Sequence, residues 1–288
     1  MWVKASGKRL DRALKEEIFT RVLINTTLID GWTNDPDNNQ PGFRPSIETS
    51  LHAAMPHKVV IHTHPIDAVA ASISENAIEI LQKKLKGFNW KFIRYARPGR
   101  PLHEEVAKAI EHKNIDVLVL QNHGLITCGH SPEEAERLTY EVAKALEQER
   151  RREPAVQDDA LNKLLRHHEG SRLPSNSVVH SLATDRWSLE IAKRNPYSPD
   201  HAVFCGVRNR TEDDQESDLL RHKAYIVVPG TGVVLLGNCN AATEEALEAQ
   251  AEIYLRTRPN TNVHLLSDRE CEEIVNWEDE KYRLQMNS

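Results

Sequence analysis

The chain has 288 residues, enough for one large domain or two small ones. Lys and Arg number 37 against 43 Asp and Glu, and the resulting charge of −6 leaves no basic excess for nucleic acid or an anionic membrane surface. No stretch approaches the ~20 apolar residues of a membrane helix, the opening MWVKASGKRL has no apolar h-region, and Cys128, Cys205, Cys239 and Cys271 are widely spaced without a CxxC, so a cytoplasmic protein with free thiols is expected.

Two compact regions are expected, residues 1–150 and 175–288, joined by a connector at 151–174. In the first, Lys58-Val59-Val60-Ile61-His62 is rich in β-branched residues and predicts a strand. Asn76 to Lys86 sets Ala77, Ile78, Ile80, Leu81 and Leu85 close to one face of a helix. Asp116-Val117-Leu118-Val119-Leu120 predicts a second strand. Ser131 as N-cap, Pro132 at the first position and Glu133 and Glu134 in the first turn start a helix that runs towards Arg150. Arg150-Arg151-Arg152 then reads as a solvated helix end, and the connector as a loop with one short helix from Asp159 to Arg166. The second region echoes the first. Setting Asp116–Gly129 over Ala224–Gly237 places Gly124 on Gly232 and Gly129 on Gly237, each within strand, glycine turn, strand and acidic helix. His123 then falls on Thr231, so the echo predicts a duplicated unit that lacks this histidine. Gly230-Thr231-Gly232 reads as a plain turn rather than an anion nest, and the residues after Arg258 as a helical tail.

The pattern richest in chemistry is His62-Thr63-His64 at the end of a strand. Side chains alternate along a strand, so both imidazoles face one way, roughly 6–7 Å apart at the backbone, and both can reach one metal ion. His123 ends a second apolar strand, where Gly124 permits a sharp turn. Three neutral imidazoles leave a coordination position open, as in a catalytic zinc site, and Glu48 would be a carboxylate to move a proton. Singly, each residue has a plainer account. An HxH at a strand end is otherwise polar surface, His123 a buried hydrogen-bonded histidine, and Glu48 an ordinary helix N-terminal acid. His52, one turn after Glu48, either supports the site or is exposed. The remaining histidines, among them His57, His112, His201 and His222, are read as ordinary. Spacing excludes several HxH enzymes. No Glu follows closely enough for a cupin, the run His62–Ala68 is not HxHxDH, and the strands are too few for an amidohydrolase barrel.

Ser46-Ile47-Glu48-Thr49, Leu51-His52-Ala53, His62-Thr63-His64-Pro65 and Gln121-Asn122-His123-Gly124-Leu125 together resemble the class II aldolase/adducin family, which includes fuculose-phosphate and rhamnulose-phosphate aldolases. The short spacing from Glu48 to His62, with Pro56-His57 inside it, looks most like the aldolase part of bifunctional rhamnulose-1-phosphate aldolase/alcohol dehydrogenases. Trp2-Val3-Lys4-Ala5-Ser6-Gly7 and Ser198-Pro199-Asp200-His201 are similar to the same group. The similarity runs to about Arg258, and the Glu…HxH…NHG set is its specific part.

The resemblance implies an α/β fold, an α/β/α sandwich around a mostly antiparallel sheet, and the internal echo adds residues 175–288 as a second, degenerate aldolase-like unit. It implies Zn2+ or another divalent metal on His62, His64 and His123, with Glu48 as catalytic acid/base, and Ser6, Gly7 and Ser46 as contacts for a substrate phosphate. The implied protein is a homo-oligomeric lyase of carbohydrate metabolism that cleaves a ketose or ketose phosphate through a zinc-stabilised enediolate. A same-fold epimerase or decarboxylase and a non-catalytic adducin-like interaction module are the alternatives. The sequence departs from the family in two ways. It starts on the Trp2–Gly7 strand without the Gly-Asn loop that precedes it in the family, so part of the phosphate cradle is expected to be missing. It also carries no GxGxxG for a dehydrogenase half.

Overall fold

The structure is a computed structural model that describes residues 1–25, 31–37, 43–111, 114–209, 211 and 224–286. Its strands are β1 (Trp2–Lys4), β2 (Phe19–Ile24), β3 (Trp32–Asn34), β4 (Val59–Thr63), β5 (Trp90–Ile93), β6 (Val117–Leu120), β7 (Gly124–Gly129), β8 (Tyr225–Val228) and β9 (Gly232–Leu235). The helices in the first half are α1 (Thr49–Ala54), α2 (Ile66–Ser72), α3 (Ala77–Lys84), α4 (Arg100–Ile110) and α5 (Pro132–Leu146). The remaining helices are α6 (Asp158–His167), α7 (Ser181–Thr184), α8 (Arg186–Ala192), α9 (Pro199–Phe204), α10 (Ala241–Arg256), α11 (Asp268–Val275) and α12 (Glu278–Met286).

Val117-Leu118-Val119-Leu120 is apolar at every position because both faces of β6 are covered. Val117 and Val119 pack with Leu125, Leu81, Leu85, Val142 and Leu146, under α2, α3 and α5. Leu118 and Leu120 point the other way and pack with Ile126, Leu51, Leu102 and Val106, under α1 and α4. The layers are therefore helix, sheet, helix. The sheet order is β4-β7-β6-β5, with β4–β7 and β6–β7 antiparallel and β5–β6 parallel. A separate antiparallel sheet, β1-β2-β3, precedes it. Ser131 caps α5, its hydroxyl accepting from the Glu134 amide at 3.2 Å, so the helix begins where its sequence signal lies.

In the second half, β8 and β9 form an antiparallel pair. Two single bridges flank them: Leu235 of β9 with Arg172, antiparallel, and Val227 of β8 with Thr211, parallel. Tyr225, Val227, Val233 and Leu235 face α7, α8 and α10, while Ile226, Val228 and Val234 face Leu164 of α6. Val69 and Ala70 of α2, with Ile73 just after it, belong to the same core as Val178, Leu182, Leu247 and Tyr254, so α2 has a core on either side.

One expectation needs correction. Arg150 and Arg151 are not a solvated helix end, because α5 stops at Leu146. Arg150 pairs with Glu252 of α10 at 2.8 Å, and Arg151 with Asp185 at 2.6 Å and the Tyr254 carbonyl at 3.0 Å. The partners are distant in sequence, so a local charge run disguises interior cross-links. The residues after Arg258 are helical as expected, and they form two helices, α11 and α12. Leu266, Cys271 and Ile274, around α11, share a core with Ala202 and Val203 of α9, and α12 returns to the first half.

Candidate metal centre

Four side chains from three places meet beyond the end of β4. His62 lies in β4, paired in register with Ile126 of β7, and His64 follows the strand just before α2. His123 occupies the turn from β6 to β7, where Asn122 has a left-handed backbone with φ 58°. Glu48 sits at the N-cap of α1, its amide donating to the Ser46 hydroxyl at 3.3 Å. One donor atom from each of Glu48, His62, His64 and His123 lies within 4.8 Å of all the others.

The local chemistry fits a divalent cation. The His62 Nδ1–H donates to the Leu125 carbonyl at 3.0 Å, which leaves the Nε2 lone pair facing the cluster. That atom is 3.0 Å from His64 Nε2 and 3.3 Å from His123 Nε2. Tetrahedral ligands about 2.0–2.1 Å from a metal sit roughly 3.3–3.4 Å apart, so the imidazole edges approach the spacing of a shared ion. Glu48 Oε1 is 3.1 Å from His62 Nε2 and 2.9 Å from His123 Nε2. Burial works against the Glu48 charge, but the imidazoles of His62 and His123 hold the carboxyl well below the usual range. A buried carboxylate and converging nitrogen lone pairs are a donor set that a cation satisfies. Gly124 makes the approach possible, since a Cβ there would lie 2.5 Å from both the Thr63 carbonyl and His64 Cδ2.

The surroundings are charged. Asp200 Oδ2 is 3.1 Å from His64 Nδ1, and Asp200 Oδ1 accepts from Arg283 of α12 at 2.7 Å. Burial opposes ionisation of Asp200, yet the Arg283 guanidinium and His64 hold it well below the ordinary carboxylate range. Burial takes the His52 imidazole down to about 4, so it is neutral near pH 7. A cavity of about 420 Å³ opens beside the cluster, lined by Lys4, Gly7, His64, His123, Asp200 and Arg283 among others. Lys4 Nζ donates to the Lys8 carbonyl at 2.8 Å, and burial with the nearby Arg283 charge lowers its pKa.

The sequence-predicted residues divide here. Glu48, His62, His64 and His123 come together. Gly7 lines the cavity with α12 packed against it, whereas Ser6 and Ser46 are not in its wall. The Ser6 amide donates to the Arg44 carbonyl. His57 pairs with Asp116 at 3.1 Å, and His201 joins a buried network with Gln250. His112 and His222 lie outside the described residues. Asp200 and Arg283 were missed as site residues. The Ser198-Pro199-Asp200 helix start was the signal for Asp200, whose helix is capped by the Ser198 hydroxyl. Arg283 lies in a charged helix with no distinguishing pattern.

The fold and this cluster define an α/β domain with a His/Glu group able to hold a divalent metal. Residues 1–149 match the model of the Class II Aldolase and Adducin N-terminal domain, so the chain belongs to this family. A 163-residue stretch is 32% identical to the uncharacterized oxidoreductase YuxG of Bacillus subtilis (strain 168), covering 51% of this chain and 23% of that protein. The chain thus matches less than a quarter of that relative's length. The N-terminal class II aldolase domain of a conserved protein from Thermoplasma acidophilum is 25% identical, with a TM-score of 0.35 over 48% of this chain and 60% of that one. An aldolase II superfamily protein from Pseudomonas syringae is 23% identical, with a TM-score of 0.33 over 44% and 52%. Among the described residues no helix is long and apolar enough to cross a membrane.

Proposed function

We propose that this chain is a metal-dependent lyase that reversibly cleaves a ketose or ketose phosphate, with His62, His64 and His123 holding Zn2+ or another divalent ion. The supporting observation is the Glu48 carboxylate lying 3.1 and 2.9 Å from the Nε2 atoms of His62 and His123, beside a cavity with His64 and His123 in its wall. A bound divalent ion supplies Lewis-acid polarisation of a ketose oxygen. Cleavage moves one proton overall, from the hydroxyl that becomes the departing aldehyde to the carbon beside the carbonyl, which receives the electron pair of the broken C–C bond. Glu48 would deliver that proton to the carbon in cleavage and, as the ionised base, remove it in the reverse direction. Its ionised state at neutral pH suits a base, and its place at the N-cap of α1 fixes where that base stands.

Ser6, Gly7 and Ser46 are the proposed contacts of a substrate phosphate, and a cytoplasmic homo-oligomer is the proposed setting. The resemblance to rhamnulose-1-phosphate aldolases directs the choice of substrates. The redox word in the name of the B. subtilis relative is not carried over, because the match spans only 23% of that protein. Residues 1–150 are proposed as the metal-binding domain, 151–174 as connector and 175–288 as a degenerate repeat. In support of the repeat, β8, β9 and α10 follow the order of β6, β7 and α5. The single bridges of Thr211 and Arg172 also have the orientations that β5 and β4 have against β6 and β7.

The test is cleavage of ketoses and ketose 1-phosphates, rhamnulose and fuculose forms included, by protein of measured metal content. Turnover abolished by a chelator and restored by Zn2+ or Co2+ is the expected result. Metal-loaded protein that cleaves none of them, yet epimerises or decarboxylates a related substrate, would overturn the lyase reading.

A further inference from the structure

We propose that Asp200 of the second region is the positioning residue that makes His64 a metal ligand, and that Arg283 holds Asp200 in that role. This rests on the metal-site reading above. The histidines are not held alike. His62 is buried, and its Nδ1 is fixed by the Leu125 carbonyl in the neighbouring strand. His64 lies past the end of β4, with a side-chain exposure of 35% against 6% for His62 and 7% for His123. An exposed neutral imidazole can exchange tautomers and rotate, and either movement removes its Nε2 lone pair from the cluster.

The Asp200 carboxylate prevents both. Its Oδ2, 3.1 Å from His64 Nδ1, can only accept while ionised, so the ring proton stays on Nδ1 and Nε2 faces His62 at 3.0 Å. The carboxylate is itself fixed from two sides. Asp200 lies in the first turn of α9, capped by Ser198. Its other oxygen accepts from Arg283 at 2.7 Å, while the guanidinium stacks over Phe204 with its centre 5.2 Å from the ring. An ion pair of purely structural use would need only the Arg283 contact. The second oxygen, aimed at a metal-ligand imidazole, gives the second region a share in the metal centre.

The experiment uses the full chain and three readouts. Zn2+ affinity is measured by competition with a chromogenic chelator, with Co2+ absorption as a probe of ligand geometry. The His64 ring tautomer in metal-free protein is read from long-range 15N–1H spectra. Wild type is expected to show His64 protonated on Nδ1. Asp200→Ala is expected to bind Zn2+ about 10- to 100-fold more weakly, to shift the Co2+ bands and to give a mixed His64 tautomer, with His62 unchanged. Asp200→Asn, which keeps an oxygen acceptor, is expected to recover most of the affinity. Wild-type affinity and an unchanged tautomer in folded Asp200→Ala would overturn the inference and leave the metal-site reading standing. A wild-type protein that binds neither ion would overturn both. If Asp200→Ala does not fold, His64 protonated on Nε2 in the wild type still overturns the inference.

Discussion

Gly124 shows what a single hydrogen in place of a methyl group does for the metal cluster. Its pro-Cβ position is 2.5 Å from the Thr63 carbonyl and from His64 Cδ2, and 3.2 Å from His62 Cε1. Backbone on one side and two ligand rings on the other leave a side chain nowhere to go. Gly124→Ala is expected to cost about 1–3 kcal/mol, the range of an overpacked core, and to spread His62 from His64. Its Tm and bound Zn2+ should both fall; a variant with lowered Tm but full Zn2+ content would separate the packing role from the ligand role. Glu48 makes the complementary case, where shape is kept and chemistry removed. Glu48→Gln keeps the shape but loses the attraction to His62 and His123 that holds the carboxylate ionised, so metal-free stability at neutral pH should fall below wild type. Turnover on whichever ketose the protein cleaves should fall about 10²–10⁴-fold if the carboxylate moves a proton. Equal kcat at matched metal content would remove Glu48 from the proposed chemistry.

At the scale of elements, what was legible in the sequence was local. The apolar run of β6, the Ser131-Pro132 start of α5 and the HxH at the end of β4 each carry their signal within a few residues. The convergence of His123 on His62 and His64 was legible because both stretches end strands, and β7 ties those ends together in the sheet. What was hidden depends on distant partners: Arg151 with Asp185, Asp67 with Arg256, and Asp200 with His64. Asn122 belongs to the hidden class although it stands inside a recognisable motif. Its Nδ2 donates to the Tyr197 carbonyl at 2.7 Å and the His264 carbonyl at 2.9 Å, so the turn carrying His123 is tied to the second region. Asn122→Gly keeps the left-handed turn available and deletes both bonds. It should lose about 3–5 kcal/mol, near 1 for each bond plus about 1–3 for the two carbonyls left without this partner. Asn122→Ala should lose roughly 1 kcal/mol more, because it adds strain at φ 58°. Urea unfolding of the three proteins orders them; a loss below about 0.5 kcal/mol in Asn122→Gly would mean that the tie contributes little to stability.

At the scale of the whole molecule, α12 brings the end of the described chain back to its beginning. Met286 packs against Gly7, Arg44 pairs with Asp279 and stacks over Tyr282, and Arg97 stacks over Trp277 just before the helix. The helix thus packs against the segments that carry Gly7 and Arg44 and puts Arg283 in the cavity wall. The closure also buries Glu280, 1% exposed, in an environment that already holds the Asp200 and Glu48 charges. Burial raises its pKa to about 7. Arg283 counters this in part from 3.4 Å, but that guanidinium is closer to Asp200, at 2.7 Å. The sign follows from proton counting. In the unfolded chain a glutamate titrates near 4.5, so between there and about pH 7 the folded state holds a proton that the unfolded state has released. Stability must therefore fall as pH rises through that window and level off above it. The full effect is roughly 3 kcal/mol at about 1.4 kcal/mol per pKa unit. Gln at this position cannot titrate and resembles the protonated acid in shape. Glu280→Gln should therefore match the wild-type Tm near pH 4.5 and exceed it by several degrees at pH 8, with the gap opening between those values. Parallel melts at both pH values check this. A Tm difference that does not change with pH would mean that Glu280 is ionised in the folded protein, with Arg283 as its full partner.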